Sequence, residues 1–128
     1  MSDCVFCMPE LDMDQRIVFE NESCMFLQKD QPVLKGSGLI VPKAHKRTVF
    51  DLSSKEWSDT QEMLLRVKHW LDEIWRPEGY NIGYNCGEVG GQHIFHAHLH
   101  VIPRFSDEPY AGRGLRHWLK QEANRRNT

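Results

Sequence analysis

The sequence has no run of about 18 consecutive apolar residues, so no membrane-spanning helix is expected. It lacks an excess of either charge: 16 Lys and Arg stand against 18 Asp and Glu, a net charge of −2. A general nucleic-acid binder needs a basic face for phosphates, and none is expected here. The start, Met1-Ser2-Asp3-Cys4, lacks the basic residues and apolar stretch of a secretory signal. The four cysteines, at 4, 7, 24 and 86, do not resemble a secreted disulfide framework. Together these absences predict a cytoplasmic protein. There is no internal repeat, low-complexity tract or linker, and 128 residues suit one domain, 1–128.

What charge there is lies unevenly. Residues 1–30 hold seven acids and two bases, and residues 104–128 hold six bases and three acids. Two readings stand: solvated faces at opposite ends, or Arg104, Arg113, Arg116 and Lys120 near an anionic substrate or a partner subunit.

Apolar patterning predicts short strands at Arg16–Glu20 and Cys24–Leu27, joined by a turn at Asn21-Glu22, and a third at Leu39–Val41. Cys24 reads as a small buried hydrophobe. Ser53 followed by Glu56 is a capping box, and Trp57, Leu64, Val67, Leu71 and Ile74 recur at helical spacing. Pro77 and Gly79 end that helix. A strand over Tyr80–Cys86 follows, then the turn-rich Gly87–Gly91, then a strand over Phe95–Ile102. Gly114–Ala123 reads as a final amphipathic helix. Strands adjoining in sequence point to an α+β fold with an antiparallel sheet.

Phe95-His96-Ala97-His98-Leu99-His100-Val101-Ile102 alternates with period two. On a strand, His96, His98 and His100 share one face, about 6.6 Å apart, while Ala97, Leu99 and Val101 face the core. Three imidazoles on one sheet face are costly to bury without partners. Two chemistries use such a face: a neutral imidazole as nucleophile, or histidines converging on a zinc that activates water. Spacing alone leaves both open. Separately, Cys4-Val5-Phe6-Cys7 has the spacing of half a tetrahedral metal site.

Gly91-Gln92-His93 followed by the alternating histidines resembles the signature of the histidine-triad (HIT) family. Leu39-Ile40-Val41-Pro42-Lys43-Ala44-His45 resembles that family's apolar strand ending in Pro-Lys-x-His, and Asn85 occupies its phosphate-side amide position. The resemblance implies a five-stranded antiparallel sheet with a long central helix and a C-terminal helix, paired as a homodimer. It implies that His98 attacks the α-phosphorus of a nucleotide, forming a nucleotidyl-histidine that water then hydrolyses. Asn85, Gly91, Gln92, His93 and His100 are the implied substrate-binding residues. Two departures stand out. His93 replaces the small hydroxyl residue common after Gly-Gln, and reads equally as leaving-group acid or as solvated loop. Lys29 stands where many relatives place an acid that accepts from the sugar hydroxyls, with Asp30 adjacent.

Some bacterial relatives share the cysteine pair and complete a zinc site with two histidines. Carried over, the ligands are Cys4, Cys7, His45 and His96, a closed structural site. His69 and His117 read as surface or interface residues. The runner-up functions are a zinc metallohydrolase using the triad as ligands, and a nucleotide-binding module with little catalysis. Leaving group and base remain open, and Val5, Phe6 and Phe19 are candidates for either a base wall or plain core.

Overall fold

The structure is a computed structural model and describes residues 3–128, so Met1 and Ser2 of the N-terminal start lie outside the described residues. Five strands form one antiparallel sheet: β1 (Gln15–Glu20), β2 (Cys24–Lys29), β3 (Gly38–Pro42), β4 (Gly79–Tyr84) and β5 (Leu99–Arg104), in the order β1-β2-β3-β5-β4. The expected α+β architecture is present. No helix among the described residues is long and apolar enough to cross a membrane.

The β1–β2 hairpin turns where expected. The Asn21 Oδ1 accepts from the Ser23 and Cys24 backbone N–H groups (3.1 and 2.9 Å), a side-chain mimic of a backbone turn. Its amide nitrogen donates to the Asp59 carbonyl (2.9 Å), tying the hairpin to the long helix.

That helix, α1 (Ser54–Trp75), starts at the expected capping box. Ser53 Oγ accepts from the Glu56 N–H (3.1 Å) and Glu56 Oε1 from the Ser53 N–H (2.7 Å). Arg76, in the left-handed region at φ 51°, terminates it just before Pro77, whose ring cannot continue the ladder. The expected apolar stripe is corrected: Trp57 and Ile74 are 56% and 53% exposed. The buried line runs through Glu56, Thr60, Met63, Val67 and Leu71. A polar Thr60 sits there because its hydroxyl donates to the Glu56 carbonyl (2.7 Å), so its burial leaves no unmet donor.

Two further boundaries shift. β4 stops at Tyr84, not Cys86, and β5 begins at Leu99, so residues 95–98 precede the ladder. Their backbone is engaged elsewhere: Ala97 N–H donates to the Lys46 carbonyl (2.7 Å) and the His96 carbonyl accepts from His98. The C-terminal helix, α2, is only Leu115–Leu119, shorter than the expected Gly114–Ala123, and the Gln121 side chain caps the His117 carbonyl (2.6 Å).

The sheet carries apolar residues on both faces. Phe26, Ile40, Leu99 and Val101 pack with Met63, Val67 and Leu71 of α1, and buried Cys24 joins them as expected. On the opposite face Met25, Leu27 and Val41 pack with Phe6, roofed by the N-terminal segment. Leu99 and Val101 therefore point to the core as the alternation predicted. Phe19 belongs to the helix-side core, its ring 5.4 Å from that of Trp70, which removes it as a base-wall candidate.

Candidate functional site

The N-terminal segment brings two thiols to the second face of the sheet. Met8 N–H bonds to the Cys4 carbonyl (2.9 Å) and Cys7 N–H to the Cys4 sulfur (3.4 Å), a tight turn that aims both sulfurs the same way. His45, just past β3, and His96, just before β5, complete a group whose four ligand atoms lie within 4.8 Å of one another. Sulfur-to-Nδ1 distances are 3.5 Å (Cys4–His96), 3.2 Å (Cys7–His45) and 3.4 Å (Cys7–His96), and the two Nδ1 atoms are 3.2 Å apart. A tetrahedron with Zn–S of about 2.3 Å and Zn–N of about 2.05 Å has S···N edges of about 3.6 Å and N···N edges of about 3.3 Å. The four residues therefore fit one tetrahedral ion by donor type and by spacing.

Fully buried His96 also has the required tautomer. Its Nε2 lies 2.8 Å from the Pro42 carbonyl, which can only accept, so Nε2 carries the proton and Nδ1 presents its lone pair to the cluster. Burial lowers the His96 pKa despite that carbonyl, which keeps the ring neutral. Burial also pushes the Cys7 thiol up, and the neighbouring Cys4 adds to the effect.

Two residues on, His98 repeats the device with its nitrogens exchanged. Its Nδ1 donates to the His96 carbonyl (2.8 Å), which leaves Nε2 unprotonated. Burial lowers its pKa, so the ring is neutral near pH 7, and 9% of the residue reaches solvent. Phe6 and His100 flank it, ring centroids at 5.1 and 5.0 Å. His100 lies on β5 between Leu39 of β3 and Gly83 of β4, and its buried Nε2 has no hydrogen-bond partner among the described residues. An unmet buried nitrogen next to a lone-pair-bearing imidazole is a vacancy in hydrogen bonding that a polar ligand atom can fill.

The loop after β4 is shaped by its glycines. A Cβ on Gly90 would lie 2.5 Å from the Cys86 carbonyl oxygen, and Gly91 has φ 97°, so neither position accepts a side chain without strain. Asn85 lies under Gly91, its amide 3.6 Å from where a Cβ would stand. Gln92 is 1% exposed and its side chain is engaged with the loop: Oε1 accepts from the Gly87 N–H (2.9 Å), and Nε2 donates to the Arg47 (2.7 Å) and Ile94 (3.1 Å) carbonyls. His93 is exposed.

Two cavities meet at this face, and His100 lines both. One, of about 380 Å³, has Val5, Phe6, Leu27 and Leu39 on its apolar side and Asp12 and Lys29 on its polar side. The other, of about 910 Å³, runs past Asn85 and Ile82 to Tyr110 and Trp118. Val5 and Phe6 line this cavity, and Phe6, 2% exposed, is at the same time part of the second apolar cluster. Arg104 is engaged internally, by Glu108 (2.9 Å), Asn81 and the carbonyls of Tyr110 and Arg113 (both 2.9 Å), and holds the C-terminal segment in place. Arg113 stacks over Tyr110, and Arg116 and Lys120 are exposed and line neither cavity. His69 pairs with Glu73 on the outer side of α1 (3.0 Å), and His117 packs on Trp118.

Sequence reasoning did not single out Asp12. The hairpin register, which sets Lys29 beside Gln15, and the ion pair of Lys29 with Asp12 (2.9 Å) bring residue 12 to the cavity, and no local pattern announces it.

Residues 10–107 match the family model described as HIT domain. The protein hit of Bacillus subtilis (strain 168) is 29% identical over 104 residues, covering 80% of this chain and 72% of that one. An adenosine 5'-monophosphoramidase of Schizosaccharomyces pombe is 28% identical over 112 residues, covering 87% of this chain and 81% of that one. The crystal structure of a zinc-bound histidine triad family protein from Mycobacterium smegmatis has the same fold, with a TM-score of 0.72 at 25% identity, covering 89% of this chain and 84% of that one. With its alternating histidines, its sheet order and a family match across most of its length, the chain belongs to the HIT domain family.

Proposed function

We propose that the protein is a nucleotidyl hydrolase or transferase that cleaves its substrate at the α-phosphate through a covalent intermediate on His98. The observation that carries this reading is the hydrogen bond from His98 Nδ1 to the His96 carbonyl, which frees Nε2 on a ring packed beside His100, the residue that lines both cavities. The resemblance of the chain to an adenosine 5'-monophosphoramidase supports the substrate class.

In this reading the Nε2 lone pair attacks the α-phosphorus, and the bond from phosphorus to the leaving group breaks. The leaving group departs with that electron pair and takes up a proton. The imidazole becomes cationic, and the Nδ1–H bond to the His96 carbonyl shares the new charge. Water then attacks phosphorus, the P–N bond breaks, its electrons return to Nε2, and the water proton is released with the nucleoside monophosphate. His100, neutral because burial and His98 both lower its pKa, donates to a phosphoryl oxygen through the nitrogen that has no protein partner. Asn85 lines the larger cavity beside His100, with Gly91 packed against it, and Gln92 acts by holding that loop.

Cys4, Cys7, His45 and His96 would hold zinc, which when bound supplies a structural cross-link with no open coordination position. The likeness to a zinc-bound histidine triad protein supports this assignment. The metallohydrolase alternative is less favoured because His96 turns its lone pair toward the cysteines, away from His98. A homodimer is proposed as well, because β4 is an edge strand with β5 on one side only and Ile82 on it is 44% exposed.

The test is a panel of adenosine phosphoramidate, dinucleoside polyphosphate and adenylyl sulfate with wild type and His98→Ala. Turnover of at least one substrate, lost by more than tenfold in a folded His98→Ala protein, is the expected result. Nucleoside monophosphate binding with no turnover of any panel member would favour the binding-module reading instead.

A further inference from the structure

Residues 4–7 place two thiols and one aromatic ring in a single turn. The Cys7 N–H bonds to the Cys4 sulfur (3.4 Å), and both sulfurs belong to the group of ligand atoms that lie within 4.8 Å of one another. Both cysteines are half-buried, so a small oxidant reaches them. The other two thiols differ. Cys24 is fully buried on the helix side of the sheet, and burial pushes its thiol up to about 11, so it stays protonated and unreactive. Cys86 stands in the loop that follows β4.

Between Cys4 and Cys7 in the chain comes Phe6, 2% exposed, its ring 5.8 Å from that of His96 and 5.1 Å from that of His98. A second link runs through His96. Its Nδ1 faces both sulfurs (3.5 and 3.4 Å), and its carbonyl accepts from His98 Nδ1 (2.8 Å). The state of the two sulfurs therefore reaches the His98 ring by two routes, and neither passes through substrate.

We propose that Cys4 and Cys7 are a redox pair, closed to a disulfide by a peroxide, and that closure loosens the hold on the His98 ring. One thiolate attacks an oxygen of hydrogen peroxide and the O–O bond breaks. The products are a sulfenic acid and hydroxide, which takes up a proton to become water. The second thiolate attacks the sulfenic sulfur, the S–O bond breaks, and the departing hydroxide is protonated to a second water. Two thiols are oxidised and one peroxide is reduced. The joined sulfurs no longer carry the thiolate charge that a metal ion needs, so an ion held with His45 and His96 is released. Drawing the sulfurs to bonding distance also tightens the turn, and in a close-packed interior Phe6 must then shift against His96 and His98. None of this depends on the nucleotide reading above.

The experiment treats the protein as purified with a small excess of hydrogen peroxide and maps its peptides by mass spectrometry. Residues 4 and 7 are expected to be joined, lighter by two hydrogens, with Cys24 and Cys86 still free thiols. Carbethoxylation by diethyl pyrocarbonate then reads the His98 ring, of which 9% of the residue reaches solvent in the reduced protein. Local opening should speed it by about fivefold or more, while Cys24 stays protected from alkylation in the folded protein. Dithiothreitol with zinc should restore the slow rate. In Cys7→Ser the rate should be the same with and without peroxide, and the wild-type map stands by itself if that variant does not fold. Cys4 and Cys7 left unpaired, or a His98 rate within about twofold of the reduced protein once they have paired, overturns the proposal. So does a rate that dithiothreitol and zinc do not restore, or a Cys24 as reactive as in the unfolded chain, which would make oxidation a plain denaturation.

Discussion

At the scale of single residues, the two buried histidines show how a hydrogen bond assigns a role. His96 and His98 each give one nitrogen to a backbone carbonyl, but opposite ones, so His96 turns Nδ1 to the thiols while His98, packed beside His100, keeps Nε2 as its lone-pair nitrogen. Gln92 shows the same economy in a neutral side chain. Its three hydrogen bonds tie the glycine turn to Arg47 and Ile94, with 1% of the residue exposed. Gln92→Leu keeps the volume and strands the Gly87 N–H and two carbonyls. Leaving buried partners unmet typically costs about 1–3 kcal/mol. These partners sit on half-buried Gly87 and exposed Arg47 and Ile94, so a loss of about 1 kcal/mol, at the low end, is expected, seen as a lower urea midpoint at unchanged slope. Activity should fall further than stability explains, because the loop that carries Gly91 loses its brace. A midpoint within about 0.3 kcal/mol of wild type would show that the loop stands without it.

At the scale of elements, α1 is held at its start by a cap that is also a titration. Burial raises the Glu56 pKa, but the Ser53 N–H and the Lys46 ammonium outweigh it, and the result lies below the ordinary 4.5. Because the folded value is depressed, the carboxylate stabilises the native state above the unfolded pKa. That contribution fades as pH falls below 4.5 through the folded value. Glu56→Gln should therefore lower stability at pH 7 by about 1 kcal/mol, with the gap from wild type closing at acid pH. A gap constant with pH would mean that the charge at residue 56 is irrelevant to the cap.

This element was legible in the sequence because its signal is local: Ser53 and Glu56 are three residues apart and satisfy each other. The buried stripe was less so, since Trp57 and Ile74 suit helical periodicity yet face outward, and polar Thr60 goes inward on a bond to its own helix. The start of β5 was misjudged for a related reason. Alternation from Phe95 looks like one strand, but the Lys46 carbonyl takes the Ala97 N–H before the ladder begins. Of the site, the triad and the cysteine pair were readable because motif spacing survives in one dimension. Asp12 was not, because a hairpin register and an ion pair bring it to the cavity.

At the scale of the whole molecule, the sheet ends in two edge strands, β1 and β4, and the N-terminal segment lies across one of its faces. β4 is an edge strand with β5 on one side only, Ile82 on it is 44% exposed, and Trp57 of α1 stands 6.3 Å from the Tyr84 ring at its end. An unpaired edge flanked by exposed apolar residues suits pairing with a second copy. Light scattering is expected to give twice the mass of the 15.0 kDa chain, and Ile82→Lys with Trp57→Lys to give the single mass. A monomeric wild type at micromolar concentration would remove the homodimer.

The terminus depends on the thiol–imidazole cluster. Besides Cys4 and Cys7, the segment before β1 is fastened by Phe6 in the second apolar cluster, by Gln15 reaching back to the Val5 carbonyl (3.0 Å) and by the ion pair of Asp12 with Lys29 (2.9 Å). Phe6 in turn packs on His96 and His98, at 5.8 and 5.1 Å. A metal joining residues 4 and 7 to residues 45 and 96 would therefore set the position of the His98 ring without touching substrate. Binding at a thousandfold excess over Kd adds about 4 kcal/mol, and for a domain of this size that is a rise in Tm on the order of 10 °C. Protein purified without added zinc is expected to contain close to one zinc per chain. Chelation or Cys7→Ser should lower Tm by about that amount, with activity lost in step with unfolding and restored by zinc. Rapid loss of activity at unchanged Tm would instead make the metal a participant in the reaction. Zinc below about 0.2 per chain, with Tm indifferent to chelator, would leave four ligand atoms converging for no ion at all.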